Sequence, residues 1–394
     1  MADYYYYVQL VDCSMKIGIL TQPLQYNYGG LLQAFALSFQ LKSLGHDPLI
    51  INRERSRSSW LRYKGYVLKN RILKNKSVLR LLLNKYQRRI ITRETEAFKM
   101  EYLPNRTKLI TKDRDMYRLN KMGFDAYIVG SDQCWRPRYS PNIRNYFLDF
   151  ASSQKDVKRI AYAASFGVEE WEFDEADTRV CRDLLSYFDA IGVREDSGIG
   201  LVSRYLGRHD AVHLIDPTML LTVDQYRDII DSDNRVPSDG HLFLYLLDKD
   251  DQKDRLIQDM AKKMNLVSYD SMPRKRLGVD DVTNANAAEF AFISPVQWLR
   301  GFQDAAFVIT DSFHGTIFSI LFNVPFITIG NEERGMSRFT SLLKMFGLES
   351  RLLINPSCNA IQNINFADID WTDVNNILDR ERHKAISFLK SNLN

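Results

Sequence analysis

Short continuous apolar runs alternate along this chain with longer stretches whose apolar residues recur at helical spacing. Such alternation predicts strands buried on both faces and separated by covering helices, an α/β fold built on parallel sheets. The run at 16–20, continued to Thr21, predicts a strand, and a polar turn over 22–28 follows. Gly29 and Gly30 then open a helix carrying Leu31, Leu32, Phe35, Leu37, Phe39 and Leu41, which stops at Leu44-Gly45. Residues 48–52 supply a second strand. Strand, glycine turn, helix and strand is how a Rossmann-like half opens.

Three more buried strands, 125–129, 159–164 and 190–193, run into small or polar residues. These are Gly130-Ser131-Asp132-Gln133-Cys134-Trp135, Ser165-Phe166-Gly167 and Arg194-Glu195-Asp196-Ser197. The carboxyl ends of strands are where open α/β sheets bind ligands. After a helix over 197–206 the pattern is interrupted at 207–210 and at Asp216-Pro217. That divides the chain into 1–206, with an insertion at 53–93, and 207–394. The second part repeats the alternation, with strands at 241–247, 266–269, 307–310 and 325–329 and helices at 252–263, 295–305, 316–322 and 337–346. A last helix over 371–389 is expected to pack back toward the first part. The prediction is two Rossmann-like domains facing a cleft, and no internal repeat accompanies it.

Composition changes this picture in a few places. At 394 residues, with 45% hydrophobic and 12% aromatic residues, the chain has material for two cores. The formal charge is only +4, yet residues 53–93 hold fourteen Lys or Arg against one acid, Glu54. The rest is therefore net negative. Apolar residues interleave with the basic ones, so amphipathic helices are expected there, either solvated or docked to a membrane surface or a lipid pyrophosphate. Charge confined to one insertion offers no continuous groove for nucleic acid. Four separated cysteines and six scattered histidines indicate neither a zinc site nor a disulfide framework. No apolar stretch reaches the length of a membrane span, and no signal peptide is read at the N-terminus, which makes the cytoplasm the expected compartment. Residues 1–14 are read as an upstream extension or an added edge strand.

The candidate chemistry lies at the strand ends. His314, in the turn Asp311-Ser312-Phe313-His314-Gly315, opens a helix and could donate a proton or meet a phosphate; alternatively, Asp311 and Ser312 form a capping network around it. Asp132 and Asp311 are candidate general bases or helix caps. Arg194 could clamp an anion through two parallel hydrogen bonds, and Arg334 and Arg338 could close over one. The helix start at Gly29-Gly30 offers free N–H groups to an anion. Neither a G-x-G-x-x-G nor a Walker A pattern is present. Trp135 and Trp298 are candidate sugar platforms, although tryptophan is more often structural.

With these residues assembled, the chain resembles the polysaccharide pyruvyl transferase family from about Met15 to Leu348. The marks are Asn27-Tyr28-Gly29-Gly30-Leu31-Leu32-Gln33-Ala34, Gly130-Ser131-Asp132-Gln133-Cys134-Trp135, Val193-Arg194-Glu195-Asp196-Ser197, Asp216-Pro217-Thr218 and Thr310-Asp311-Ser312-Phe313-His314-Gly315-Thr316, with Phe318-Ser319. The resemblance implies a two-domain fold of the glycosyltransferase B type. It implies phosphoenolpyruvate as a co-substrate, with no cofactor or metal, and a pyruvate ketal formed on two hydroxyls of one sugar. It places the family's histidine on His314 and its arginine on Arg194. Some members carry an arginine two residues before the histidine; here that position is Ser312, so another residue must supply that part of the carboxylate clamp.

On this resemblance His314, Asp132 and Asp311 are the candidate catalytic residues. Arg194, Arg338, Arg334, Ser312, Gly315, Gly29 and Gly30 are assigned to the donor, and Asn27, Tyr28, Gln133 and Trp135 to the acceptor. The acceptor would be a sugar such as galactose in a lipid-linked precursor, for example on undecaprenyl pyrophosphate at the inner membrane face, which gives 53–93 a role. A nucleotide-sugar glycosyltransferase is the nearest alternative; a nucleic-acid binder and a non-catalytic carbohydrate scaffold are the others.

Overall fold

The computed structural model describes residues 14–55, 83–232, 242–277, 280–330, 335–354 and 368–393. Its strands are β1 (Lys16–Leu20), β2 (Asp47–Ile50), β3 (Ala126–Val129), β4 (Lys158–Ala164), β5 (Ala190–Val193), β6 (Val212–His213), β7 (Leu242–Tyr245), β8 (Ser268–Asp270), β9 (Phe307–Thr310), β10 (Phe326–Ile329) and β11 (Leu352–Leu353). The helices used below are α1 (Tyr28–Ser43), α2 (Lys85–Ile91), α3 (Arg93–Tyr102), α4 (Glu175–Leu185), α5 (Asp196–Leu206), α6 (Val223–Asp231), α7 (Asp251–Met264), α8 (Pro295–Gln303), α9 (Phe313–Leu321), α10 (Ser337–Phe346) and α11 (Trp371–Leu393).

Two sheets result, ordered β2-β1-β3-β4-β5-β6 and β11-β10-β9-β7-β8. Every pairing is parallel, as in Ile17 opposite Ala126 and Phe243 opposite Val308. Continuous apolar strands such as β3 (AYIV) and β9 (FVIT) fit this arrangement, because helices cover both faces of each sheet. Each order reverses once, between β1 and β3 and between β7 and β9, and such switch points open crevices at the carboxyl ends of the strands. Two Rossmann-like units facing a cleft are therefore present.

β6 pairs with β5 through Gly192–Val212 and Val193–His213, so the first sheet runs past the expected division after residue 206. The two-residue strand has no apolar run to announce it. The central apolar cluster joins the units: Ile17, Leu31 and Leu32 of the first pack with Trp298, Ile317 and Phe339 of the second. Tyr28 stacks on Trp298 at 5.3 Å. α11 lies against α10 and the 3-10 turn Pro217–Leu220, where Arg382 donates to the carbonyls of Met219 and Leu221. Its Phe388 also reaches Tyr162 of β4, at 6.4 Å between rings.

Most of the basic insertion, 56–82, lies outside the described residues, as do residues 1–13. Its C-terminal end forms α2, where Asn84 and Gln87 make a reciprocal capping box. Gln87 and Ile91 face inward while Lys85, Arg88 and Arg89 are exposed, which is the amphipathic pattern expected. Arg53, counted with that positive face, is instead buried, donating to Asn145 Oδ1 and paired with Asp113. Among the described residues no helix is long and apolar enough to cross a membrane.

Candidate active site

Four strand ends and three helix starts meet in the cleft. β5 hands over to Arg194, the segment after β6 to Asp216, β3 to the loop holding Asp132, and β4 to Ser165–Gly167. From the second unit come His314, in the first turn of α9, and Arg338, in the first turn of α10.

The sequence shapes each approach. Ser312 caps α9, accepting weakly from the Gly315 N–H at 3.4 Å, so the helix begins at Phe313 rather than at the expected Thr316 and His314 falls in its first turn. Gly29 is required by contact: a Cβ there would lie 2.0 Å from His314 Nδ1. The N-terminus of α1 thus abuts the imidazole, and the positive ends of α1 and α9 converge there. Gly315 lets α9 lie on β9, since a Cβ would meet Thr310 Oγ1 at 2.1 Å. Gly335, at φ +98°, brings the start of α10 to the first unit, where a Cβ would be 1.7 Å from the Gly167 carbonyl oxygen.

At the centre is Asp216, buried between the units. Its Oδ1 accepts from the Thr218 N–H at 3.0 Å and hydroxyl at 2.8 Å. Oδ2 accepts from Arg194 Nη1 at 2.8 Å and from the Ser131 hydroxyl at 3.3 Å. His314 Nε2 is 3.5 Å from the same oxygen, near enough for attraction when the ring is protonated but too long for a well-formed hydrogen bond. Burial would raise the Asp216 carboxyl, but His314 and Arg194 outweigh it and hold the group well below the usual carboxylate range.

Arg194 is 4% exposed. Burial opposes its charge, yet Asp216, Asp132 and Glu195 outweigh that and raise it further. Nη2 lies 3.6 Å from Asp132 Oδ1, and neither Nε nor Nη2 hydrogen-bonds a described residue. The guanidinium covers the Phe313 ring at 4.4 Å, and that of Arg338 approaches the same ring at 5.5 Å. Two buried arginines from different units thus flank one phenyl ring beside His314. Burial and the charge of Arg194 push Arg338 down to about 10. Asp132 holds a left-handed backbone, φ +63°, which aspartate tolerates, and its Oδ1 accepts from the Gln133 N–H.

Of the residues expected at the site, His314, Arg194, Arg338, Asp132 and Gly29 come together, with Gly315 and Ser312 shaping the start of α9. Gly30 is buried in α1 against Asn27, and Asn27 is exposed at the N-terminus of that helix. Gln133 is half-buried, receiving Arg136 Nη1 at 2.9 Å. Arg334 lies outside the described residues.

Three assignments need correction. Asp311 faces away from this cluster: Oδ1 accepts from the Leu247 N–H at 2.6 Å, and Oδ2 from the Asp248 N–H at 3.0 Å and Lys253 Nζ at 2.8 Å. A carboxylate so occupied braces the end of β7 and is not placed to act as a base. Trp135 is fully buried, stacked on Phe147 with its Nε1 donating to the Tyr146 carbonyl. Tyr28 is 1% exposed and stacked on the equally buried Trp298. None of these rings can serve as a sugar platform.

Two further residues of the site lie within the family marks, but the sequence assigns them no role. Asp216-Pro217 interrupts the strand pattern, and Asp-Pro-Thr is also the sequence of a capped turn. Glu195 is fully buried, its Oε1 accepting from Ser165 Oγ and from the N–H groups of Phe166 and Gly167, so it fixes the end of β4.

Comparison with solved structures finds similar folds at very low identity. Arabidopsis thaliana UGT89C1 complexed with UDP-L-rhamnose matches with a TM-score of 0.51 at 8% identity, over 96% of this chain and 98% of that one. The same protein complexed with quercetin gives 0.50 at 9% identity, over 96% and 99%. UDP-N-acetylglucosamine 2-epimerase from Rickettsia bellii gives 0.49 at 12% identity, over 96% and 97%. The architecture is that of the glycosyltransferase B type. A search of curated proteins returned no match. The family model for polysaccharide pyruvyl transferase matches residues 27–333, which include Gly29, Asp132, Arg194, Asp216 and His314, and this chain belongs to that family.

Proposed function

We propose that this enzyme transfers pyruvate from phosphoenolpyruvate to two hydroxyls of one sugar, forming a cyclic ketal and releasing phosphate. The observation that carries the reading is the pair of buried guanidiniums, Arg194 and Arg338, flanking Phe313 beside His314. A small donor with both a carboxylate and a phosphate suits two such cations and a converging pair of helix N-termini. Arg338 stands in for the arginine that Ser312 replaces.

His314 either delivers a proton to the methylene carbon of the enol or contacts the phosphate. Protonation makes that carbon a methyl and leaves an oxocarbenium-like centre at its neighbour. One sugar hydroxyl adds there and gives up its proton, for which Asp132 is the candidate base. Phosphate then departs with the bridging oxygen, and the second hydroxyl closes the ring with loss of its own proton. Arg194 and Arg338 would hold the anionic groups throughout.

A second reading, glycosyl transfer from a nucleotide sugar, is supported by the fold shared with UGT89C1, whose structure is complexed with UDP-L-rhamnose. One assay separates the two. Purified protein is incubated with phosphoenolpyruvate or with UDP-sugars and a panel of galactosides, and phosphate release and acceptor mass are measured. Phosphate release with a pyruvate-sized mass gain is expected; transfer from a UDP-sugar, with none from phosphoenolpyruvate, would replace the first reading by the second. The exposed Lys85, Arg88 and Arg89 of α2, beside Tyr86 at 55% exposure, support an acceptor presented at an anionic membrane face. Absence of flotation with anionic liposomes at low salt would remove that part.

A further inference from the structure

Asp216 takes no part in the proposed transfer, yet it sits at its centre. We infer that Asp216 is a positioning residue and internal counter-anion, whose carboxylate holds Arg194 of the first unit in register with His314 of the second and keeps the cleft's affinity for anions low enough for phosphate to leave. The inference rests on reading the cleft as an anion-handling reaction site.

The geometry gives the two oxygens different duties. Oδ1 is pinned by the N–H and hydroxyl of Thr218, in a turn that Pro217 stiffens, so the carboxylate is not free to rotate. Oδ2 is thereby presented to Arg194 Nη1 at 2.8 Å, Ser131 Oγ at 3.3 Å and His314 Nε2 at 3.5 Å. No side-chain freedom remains on the histidine's other side, where α1 passes at Gly29. His314 is held between a backbone wall and a fixed negative charge.

The other two acids nearby also offset Arg194 but are placed differently. Glu195 commits Oε1 to the end of β4, and Asp132 stands 3.6 Å from the opposite edge of Arg194. Without Asp216, Arg194 and Arg338 would stand beside His314 in a buried space with one carboxylate fewer to offset them. An incoming phosphate would then take over the neutralising role.

Two probes separate this inference from the pyruvyl-transfer reading. Calorimetric titration with inorganic phosphate tests the counter-charge, and turnover of phosphoenolpyruvate tests the positioning. Asp216→Asn is expected to bind phosphate about tenfold more tightly than the native protein and to turn over about a hundredfold more slowly. A residue that merely held the fold would weaken both. Asp216→Ala, which leaves room rather than a new donor beside Arg194, repeats the test should the asparagine variant not fold. Unchanged or weaker phosphate binding in a folded variant overturns the counter-charge, and native turnover overturns the positioning. Failure of both variants to fold overturns the inference, making Asp216 a structural anchor. If the native protein consumes no phosphoenolpyruvate while the variant still binds phosphate more tightly, the counter-charge stands and the pyruvyl-transfer reading falls.

Discussion

Asp216 and Asp311 are both buried carboxylates at the carboxyl end of a parallel sheet, each beside a basic side chain, and they do opposite work. Asp311 is saturated: two backbone N–H groups and Lys253 occupy its oxygens, so the end of β7 is closed upon itself. Asp216 shares one oxygen between Arg194 and His314, and both partners keep nitrogen atoms that hydrogen-bond no described residue. The strand end provides the location in both cases. Whether it becomes chemistry or scaffold depends on donors left over after the fold has been satisfied.

The contrast can be broken most sharply at His314. His314→Ala should lower turnover by roughly a thousandfold with the fold intact, as phosphate release and circular dichroism would show. Asp311→Ala should do the reverse, costing about 3 kcal/mol of unfolding free energy because Lys253 is left buried without its partner. Phosphate binding should stay native in that variant; a marked loss would put Asp311 back in the site.

A smaller effect follows on acidification. The Asp216 carboxyl is held below its usual range when folded, so its contribution to stability is fully present above the unfolded value of about 3.9 and is lost as pH falls toward the folded value. Asp216→Asn lacks that contribution, and urea unfolding should show the gap between native and variant proteins narrowing below about pH 4. The smallest change belongs to Trp135→Phe, expected to cost about 1 kcal/mol through the lost bond to the Tyr146 carbonyl. Its acceptor KM should be native; a large rise would restore Trp135 to the acceptor site.

The strand framework could be read from the sequence because β1, β3, β5, β9 and β10 are continuous apolar runs ended by small or polar residues. His314, Arg194 and Asp132 stood at those ends and were legible for the same reason. α6, with its capping box at Thr222 and Gln225, carried a readable signal that the polar background obscured. β6 is too short to show any period. The duties of Asp311, Trp135 and Tyr28 were not legible, since a residue type at a strand end or helix start says nothing of which partners the far side of the fold brings to it. Lys253 meets Asp311 across 58 positions of sequence, and Trp298 reaches Tyr28 from the other unit.

The contact between Gly335 and the Gly167 carbonyl has a mechanical meaning. Neither partner carries a side chain, and Gly167 itself leans on Gln133 Oε1, which a Cβ would meet at 2.1 Å. Backbone lies directly on backbone here, and farther along α10 the Asp196 N–H of the first unit donates to Ser341 Oγ at 3.0 Å. A side chain at Gly335 would push α10, and Arg338 with it, away from the first unit, and one at Gly167 would press on Gln133 in the loop that carries Asp132, so the two bare positions set how near the second unit's arginine stands to the first unit's loop.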